Sequence, residues 1–221
     1  MSASPSTYDG VAAVLSLLVL LTEFAMLRAP LLRSQVRLYA FQSLVVTVLA
    51  VYVAYSKHID ELYVLAALSL VLKVALVPAL ILRLLRDANT DLAGSSVVGV
   101  ASAILIALVV AAFGFFSVGS LQVSSSSLPT SSLAIACAIV LVAFVLIILR
   151  SDVVSQAIGF FSLENGVSVA SLVVASGLPL IVDIAFLFDL LVAVVVFGVI
   201  MRVHHARNAT LSTSDFDRLK G

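Results

Sequence analysis

The sequence predicts an all-α fold, a polytopic transmembrane helical bundle of about seven spans. Three observations predict it. Apolar residues make up 62% of the 221 residues and charged residues only 11%, against roughly 25% charged in a soluble domain. Runs of about 20 apolar residues recur along nearly the whole chain, the length that crosses about 30 Å of hydrocarbon. These runs are continuous and do not alternate apolar with polar over about 10 residues, which excludes a transmembrane barrel.

The spans are expected at about 11–29, 36–56, 62–82, 96–118, 133–149, 155–176 and 183–203. The first follows MSASPSTYDG, which lacks Lys and Arg. A signal peptide needs a basic leader and a shorter apolar core, so a retained first helix is expected. The second carries a Val-rich stretch, LYAFQSLVVTVLAV (38–51). The third holds Lys73 and then Pro78, which lacks an N–H and should kink the helix. After the fourth comes SLQVSSSSLPTSS, an uncharged external connection. The fifth contains Cys137, a small apolar filler. In the sixth, Gly159 and Gly166 bracket Glu164 and Asn165, so that a neighbouring helix can approach closely, for the acid or for packing alone. The seventh contains Asp183 and Asp189, and a polar tail follows it.

Ten of the twelve basic residues fall on one side under this reading: Arg28, Arg33, Arg37, Arg83, Arg86, Arg150, Arg202, Arg207, Arg218 and Lys220. Positive charge marks the cytoplasmic side, so the N-terminus is expected outside and the C-terminus in the cytoplasm. The domain reading is a four-helix part (1–118), the Ser-rich loop (119–132), a three-helix part (133–203) and a cytoplasmic tail (204–221). A faint echo links 38–51 with IGFFSLENGVSVAS (158–171), segments that would cross in the same direction.

Composition excludes several chemistries. A single cysteine rules out disulfides, iron–sulfur ligation and a thiolate zinc site. His58, His204 and His205 lie outside the apolar runs, so no haem is held at membrane depth. The charges cancel, which argues against a nucleic-acid partner. No cofactor or metal is expected.

Four acids lie in or at the ends of spans: Glu23, Glu164, Asp183 and Asp189, with Lys73 the one buried base. A charge at the bilayer centre costs about 2.5–3.5 kcal/mol on the mildest scale, so such residues turn toward partners or water and mark ion paths. Lys73 lies roughly 16 Å from one edge of its span, Glu164 roughly 18 Å and Glu23 roughly 20 Å, from a rise of about 1.5 Å per residue. The three should share one level. Either they relay protons, or Lys73 neutralises one acid and holds helices together. Glu23 has a further alternative, being drawn toward Arg28 about one turn away. Asp189 sits roughly 9 Å deep and Asp183 at the interface.

LYAFQSLVV (38–46), KVALVPALI (73–81), LENG (163–166), VDIAFLFDLLVAVVV (182–196) and DRLKG (217–221) resemble hydrogenase-4 component E. That family comprises membrane subunits of formate hydrogenlyase-type complexes. The last three spans are also similar to the K subunit of complex I and the C subunit of multisubunit cation/proton antiporters. The resemblance implies an inner-membrane, multi-pass, non-catalytic subunit of a group 4 [NiFe]-hydrogenase-like complex. Its partners would be antiporter-like membrane subunits, the lipid bilayer and, indirectly, a hydrogenase or formate dehydrogenase arm. By the same resemblance Glu164, Lys73 and Asp189 belong to a proton path, with Asp183 a weaker candidate; Glu23 matches no motif of the family and is a weaker candidate from its place in the first span alone. The rivals are a cation/proton antiporter subunit without a redox arm and a purely structural anchor.

The orientation is directly testable. A reporter fused after Gly221 is expected in the cytoplasm and one at Ser2 outside; both on one side would mean an even number of spans.

Overall fold

The structure, a computed structural model, describes residues 7–88, 93–94, 96–119, 128–174 and 198. Among them the regular elements are helical: α1 (Thr7–Arg28), α2 (Leu32–Lys57), α3 (Asp60–Ser69), a π-helical segment (Leu70–Leu76), α4 (Val77–Ala88), α5 (Val100–Gly119), α6 (Thr130–Leu149) and α7 (Val153–Val174). α3, the π segment and α4 form one rod, so six helices are long and apolar enough to cross a membrane. This is a multi-pass membrane protein. The six match the first six expected spans, and the seventh (183–203), with Asp183 and Asp189, lies outside the described residues apart from position 198.

The apolar pattern explains the layout. α6 is hydrophobic on every side, as expected of a helix surrounded by others, and it packs against α5, α7 and α1. α5 is equally apolar but outlying: Leu105, Leu108, Val109, Phe113 and Phe116 are exposed, which suits a helix bordering lipid. One hydrophobic cluster draws Met26, Tyr39, Leu85, Ala107, Leu146 and Phe161 together from six helices.

Close approach of α6 to its neighbours is set by glycine. A Cβ on Gly159 would stand 2.7 Å from Ile147 Cγ1, and one on Gly166 2.9 Å from Val140 Cγ2 and 3.1 Å from Val140 N. On α5, a Cβ at Gly114 would meet Leu141 Cδ1 at 2.8 Å. Gly159 and Gly166 therefore admit α6, and packing, not access to Glu164, is what they serve.

Pro78 acts through the turn before it. With no N–H at Pro78, the ladder shifts, and Val77 donates to Leu72 O in the i→i−5 pattern of a π turn. The irregularity at Pro78 is this π turn. The wider turn keeps Lys73 buried while Leu70, Val71 and Leu76 around it stay exposed. At the opposite end of α2, His58 closes the helix in the left-handed region at φ 55°, its N–H donating to Ala54 O.

The arginine-rich end is clasped by Arg150, between α6 and α7. Its Nη2 donates to Leu27 O at 2.8 Å and Ala29 O at 3.1 Å, the orphan carbonyls that end α1. Asp152 caps α7, with Oδ1 accepting from Ser155 N at 2.7 Å, and its Oδ2 accepts from Gly94 N at 2.9 Å. Burial pushes the Arg150 guanidinium below its usual range, and the Asp152 carboxylate opposes that shift. Three connections are thus tied at one point.

Gly166→Val is expected to lose about 1–3 kcal/mol of stability, because the added methyls meet the α6 backbone. Gly10→Ala, whose Cβ meets nothing within 4 Å, is the control. Thermal unfolding in detergent reads the difference.

Candidate functional site

Charge at membrane depth must be paired, and the bundle pairs it. Lys73 Nζ stands 2.6 Å from Glu164 Oε1, with both side chains nearly shut off from the exterior. The two remaining ammonium protons are directed to Ser168 Oγ at 3.0 Å and Asn165 Oδ1 at 3.4 Å. An ammonium has three donors and no acceptor, so this environment satisfies the charged form completely. Ser168 in turn donates to Glu164 O at 2.9 Å.

From Asn165 the network continues across the bundle. Asn165 Nδ2 donates to Gln42 Oε1 at 3.1 Å and Ser43 Oγ at 2.9 Å. Gln42 Nε2 donates to Glu23 Oε2 at 2.7 Å and Val19 O at 3.2 Å. Ser162 Oγ contacts both Gln42 Oε1, at 2.8 Å, and Glu23 Oε2. Glu23, Gln42, Ser43, Ser162 and Asn165 are all fully buried. Two carboxyl groups on α1 and α7 are therefore joined through the Lys73 ammonium of the π segment and amides and hydroxyls from α2 and α7.

The seam that holds this network has a heptad character. Gln35, Tyr39, Gln42, Val46, Leu49 and Val53 on α2 are buried at alternating spacings of four and three, and so are Ser155, Ile158, Ser162, Asn165 and Val169 on α7. Both helices start at the arginine-rich end and run parallel. The same contact recurs seven residues apart on each: Ser155 Oγ donates to Gln35 Oε1, and Ser162 Oγ to Gln42 Oε1, both at 2.8 Å. Between the two polar layers Tyr39 packs on Phe161 with ring centroids 5.9 Å apart. The two echoing segments (38–51 and 158–171) thus face each other across one interface.

Lys73 and Glu164 pair directly, and Glu23 reaches them through Gln42 and Asn165. Glu23 turns to α2 and α7 and is fully buried, whereas Arg28 is exposed. Asp189 and Asp183 lie outside the described residues. Gln42, Ser43, Ser162 and Ser168 are network members that reading the charges alone misses. Gln42 and Ser162 carried a signal, a polar residue seven positions before each (Gln35 and Ser155) on otherwise apolar helices; Ser43 and Ser168 carried none of this kind. Among the described residues, no group of three or more His, Cys, Asp or Glu is placed to hold a metal.

No protein-family model matches the chain. No solved structure matches it significantly. A stretch of 51 residues is 43% identical to a Mycobacterium tuberculosis protein described as "Uncharacterized protein Rv0085". The match covers 23% of each chain, so this chain is similar to less than a quarter of that protein's length.

The Lys73–Glu164 pair is open to a double-mutant cycle. Lys73→Met alone strands a buried carboxylate and is expected to cost up to about 3–5 kcal/mol. Adding Glu164→Gln should recover most of the loss. Thermal unfolding of the four proteins in detergent measures the coupling.

Proposed function

We propose that this protein is a non-catalytic membrane subunit of a group 4 [NiFe]-hydrogenase or formate hydrogenlyase-like energy-converting complex, contributing to its intramembrane proton path. One observation carries the reading: a continuous hydrogen-bond network joins Lys73–Glu164 to Glu23 in the interior of the bundle. A packing role alone needs one ion pair. Here the pair is extended by three amide and hydroxyl residues to a second carboxyl group, which is the composition of a proton-handling layer.

The chemistry rests on switchable charge. Glu164 is an ionised partner of Lys73 in this arrangement, and protonation of Glu164 would release the ammonium to its other acceptors. Movement of that charge is what a neighbouring antiporter-like subunit would sense. Asp189, by the same resemblance, is the second carboxylate of the path, in the expected seventh span. Electron transfer belongs to other subunits. The arginine-rich end would face the cytoplasm of an inner (cytoplasmic) membrane.

Glu164→Gln in the assembled complex is expected to leave assembly intact and to lower proton translocation at least tenfold, because the amide keeps shape while losing the titratable proton. Glu164→Asp should retain partial activity. Proton uptake into vesicles, with subunit yield measured in parallel, decides the matter. A fully coupled Gln variant would sink the proton-path reading, and a loss of yield without loss of coupling would favour the structural anchor.

A further inference from the structure

Charge and hydrogen counting around the network leads one step beyond Lys73 and Glu164, and the step rests on the proton-path reading. Among the described residues, the buried layer holds one ammonium, Lys73, and two carboxyl groups, Glu164 and Glu23. The other ionisable or charged groups on the surrounding elements are placed elsewhere. Arg28 on α1 and Arg37 on α2 are exposed, and α6 carries no charged residue. Tyr39 on α2 is buried with a neutral phenol. With both acids ionised the layer would bear a net negative charge in a medium that tolerates none. One proton is needed to make it neutral.

The hydrogen bonds say where that proton sits. Lys73 is 2.6 Å from Glu164 and has all three of its donors matched, so Glu164 is the ionised partner. Asn165 Oδ1 accepts from Lys73, which fixes Asn165 Nδ2 as donor to Gln42 Oε1 and Gln42 Nε2 as donor to Glu23 Oε2. Ser162 then faces two acceptors, Gln42 Oε1 and Glu23 Oε2, with a single hydroxyl proton. An ionised Glu23 would leave one of these contacts with no proton. A proton on Glu23 Oε2 fills the gap: Glu23 donates to Ser162, and Ser162 donates to Gln42. Glu23 Oε1 and Glu164 Oε2 are both buried without a partner; the donor count at Ser162 is what separates the two acids.

We propose that Glu23 is a further proton-binding residue of this chain, the counterpart of Glu164 within this buried layer. It carries the exchangeable proton of the layer while Glu164 is paired with Lys73. Gln42, Ser162 and Asn165 are positioning residues that tie its protonation to the state of that pair. The layer holds one proton in total. When Glu164 takes a proton, Glu23 is the carboxyl free to give one up, and the charge of Lys73 then serves Glu23.

The test is infrared spectroscopy of the full chain in lipid nanodiscs, in H₂O and D₂O at neutral pH. A protonated-carboxyl C=O band is expected, shifted in D₂O, lost in Glu23→Gln and retained at its frequency in the Lys73→Met/Glu164→Gln double variant, where Glu23 is the one acid of the layer and no ammonium is left to ionise it. If Glu23→Gln fails to fold, Ser162→Ala serves instead. It removes the acceptor of the Glu23 proton and should move the band to higher frequency. Absence of the band, its survival in Glu23→Gln, its loss in the Lys73→Met/Glu164→Gln double variant, or an unmoved band in Ser162→Ala overturns the assignment. The two readings fail separately. A fully coupled Glu164→Gln complex removes the proton path whatever the band does, whereas an uncoupled Glu164→Gln complex beside an unmutated chain that shows no Glu23 band removes only this inference.

Discussion

A lysine ammonium near the middle of a hydrocarbon layer has no solvent to share its charge, and the architecture follows from meeting that demand. Lys73 has three protons to place, and α7 supplies all three acceptors: Glu164, Asn165 and Ser168. Reaching them requires the third rod to lie beside α7 with Lys73 turned inward, which the π turn ahead of Pro78 provides. An α-helical ladder across the same stretch would meet the missing N–H of Pro78 with an unmatched carbonyl. The same irregularity that relieves the backbone therefore presents the charge.

Asn165 then carries the constraint from an ion pair to a helix interface. Its carbonyl is committed to Lys73, so its amide must donate toward α2, and Gln42 must turn its own amide toward Glu23. The polarity of the whole chain of bonds is set from one end. Such buried networks stabilise when every member is satisfied and destabilise when one is not. Parallel packing of α2 and α7 at heptad spacing is what brings the members into register. A second Ser–Gln contact seven residues away holds that register at the arginine-rich end.

How much of this was legible is clear from particular residues. The apolar runs marked six helices that the structure contains, because backbone in hydrocarbon must satisfy its own hydrogen bonds and a helix does so locally. The common depth of Lys73, Glu164 and Glu23 followed from residue counting, since rise per residue is fixed. Arg28 as an alternative partner of Glu23 was a one-dimensional idea. It weighed proximity along α1 without knowing that Gln42 and Ser162 approach from other helices. Gly159 and Gly166 showed that some helix comes close, but not that it is α6.

The sequence by itself determined the class of the protein, the level of its buried charges and the requirement that Lys73 find an anion. These depend on hydropathy, rise per residue and the cost of an unpaired charge, which are properties of one helix in one medium. Only the tertiary structure decided that the anion is Glu164, that Glu23 joins through Gln42 and Ser162, and that α2 and α7 run together. Those choices depend on the rotation of each helix about its axis and on which neighbours meet. Nearly uniform apolar surfaces on α1, α6 and α7 carry little information about rotation. A few polar side chains at matching heights fix it, because each must find its partner before the bundle can close.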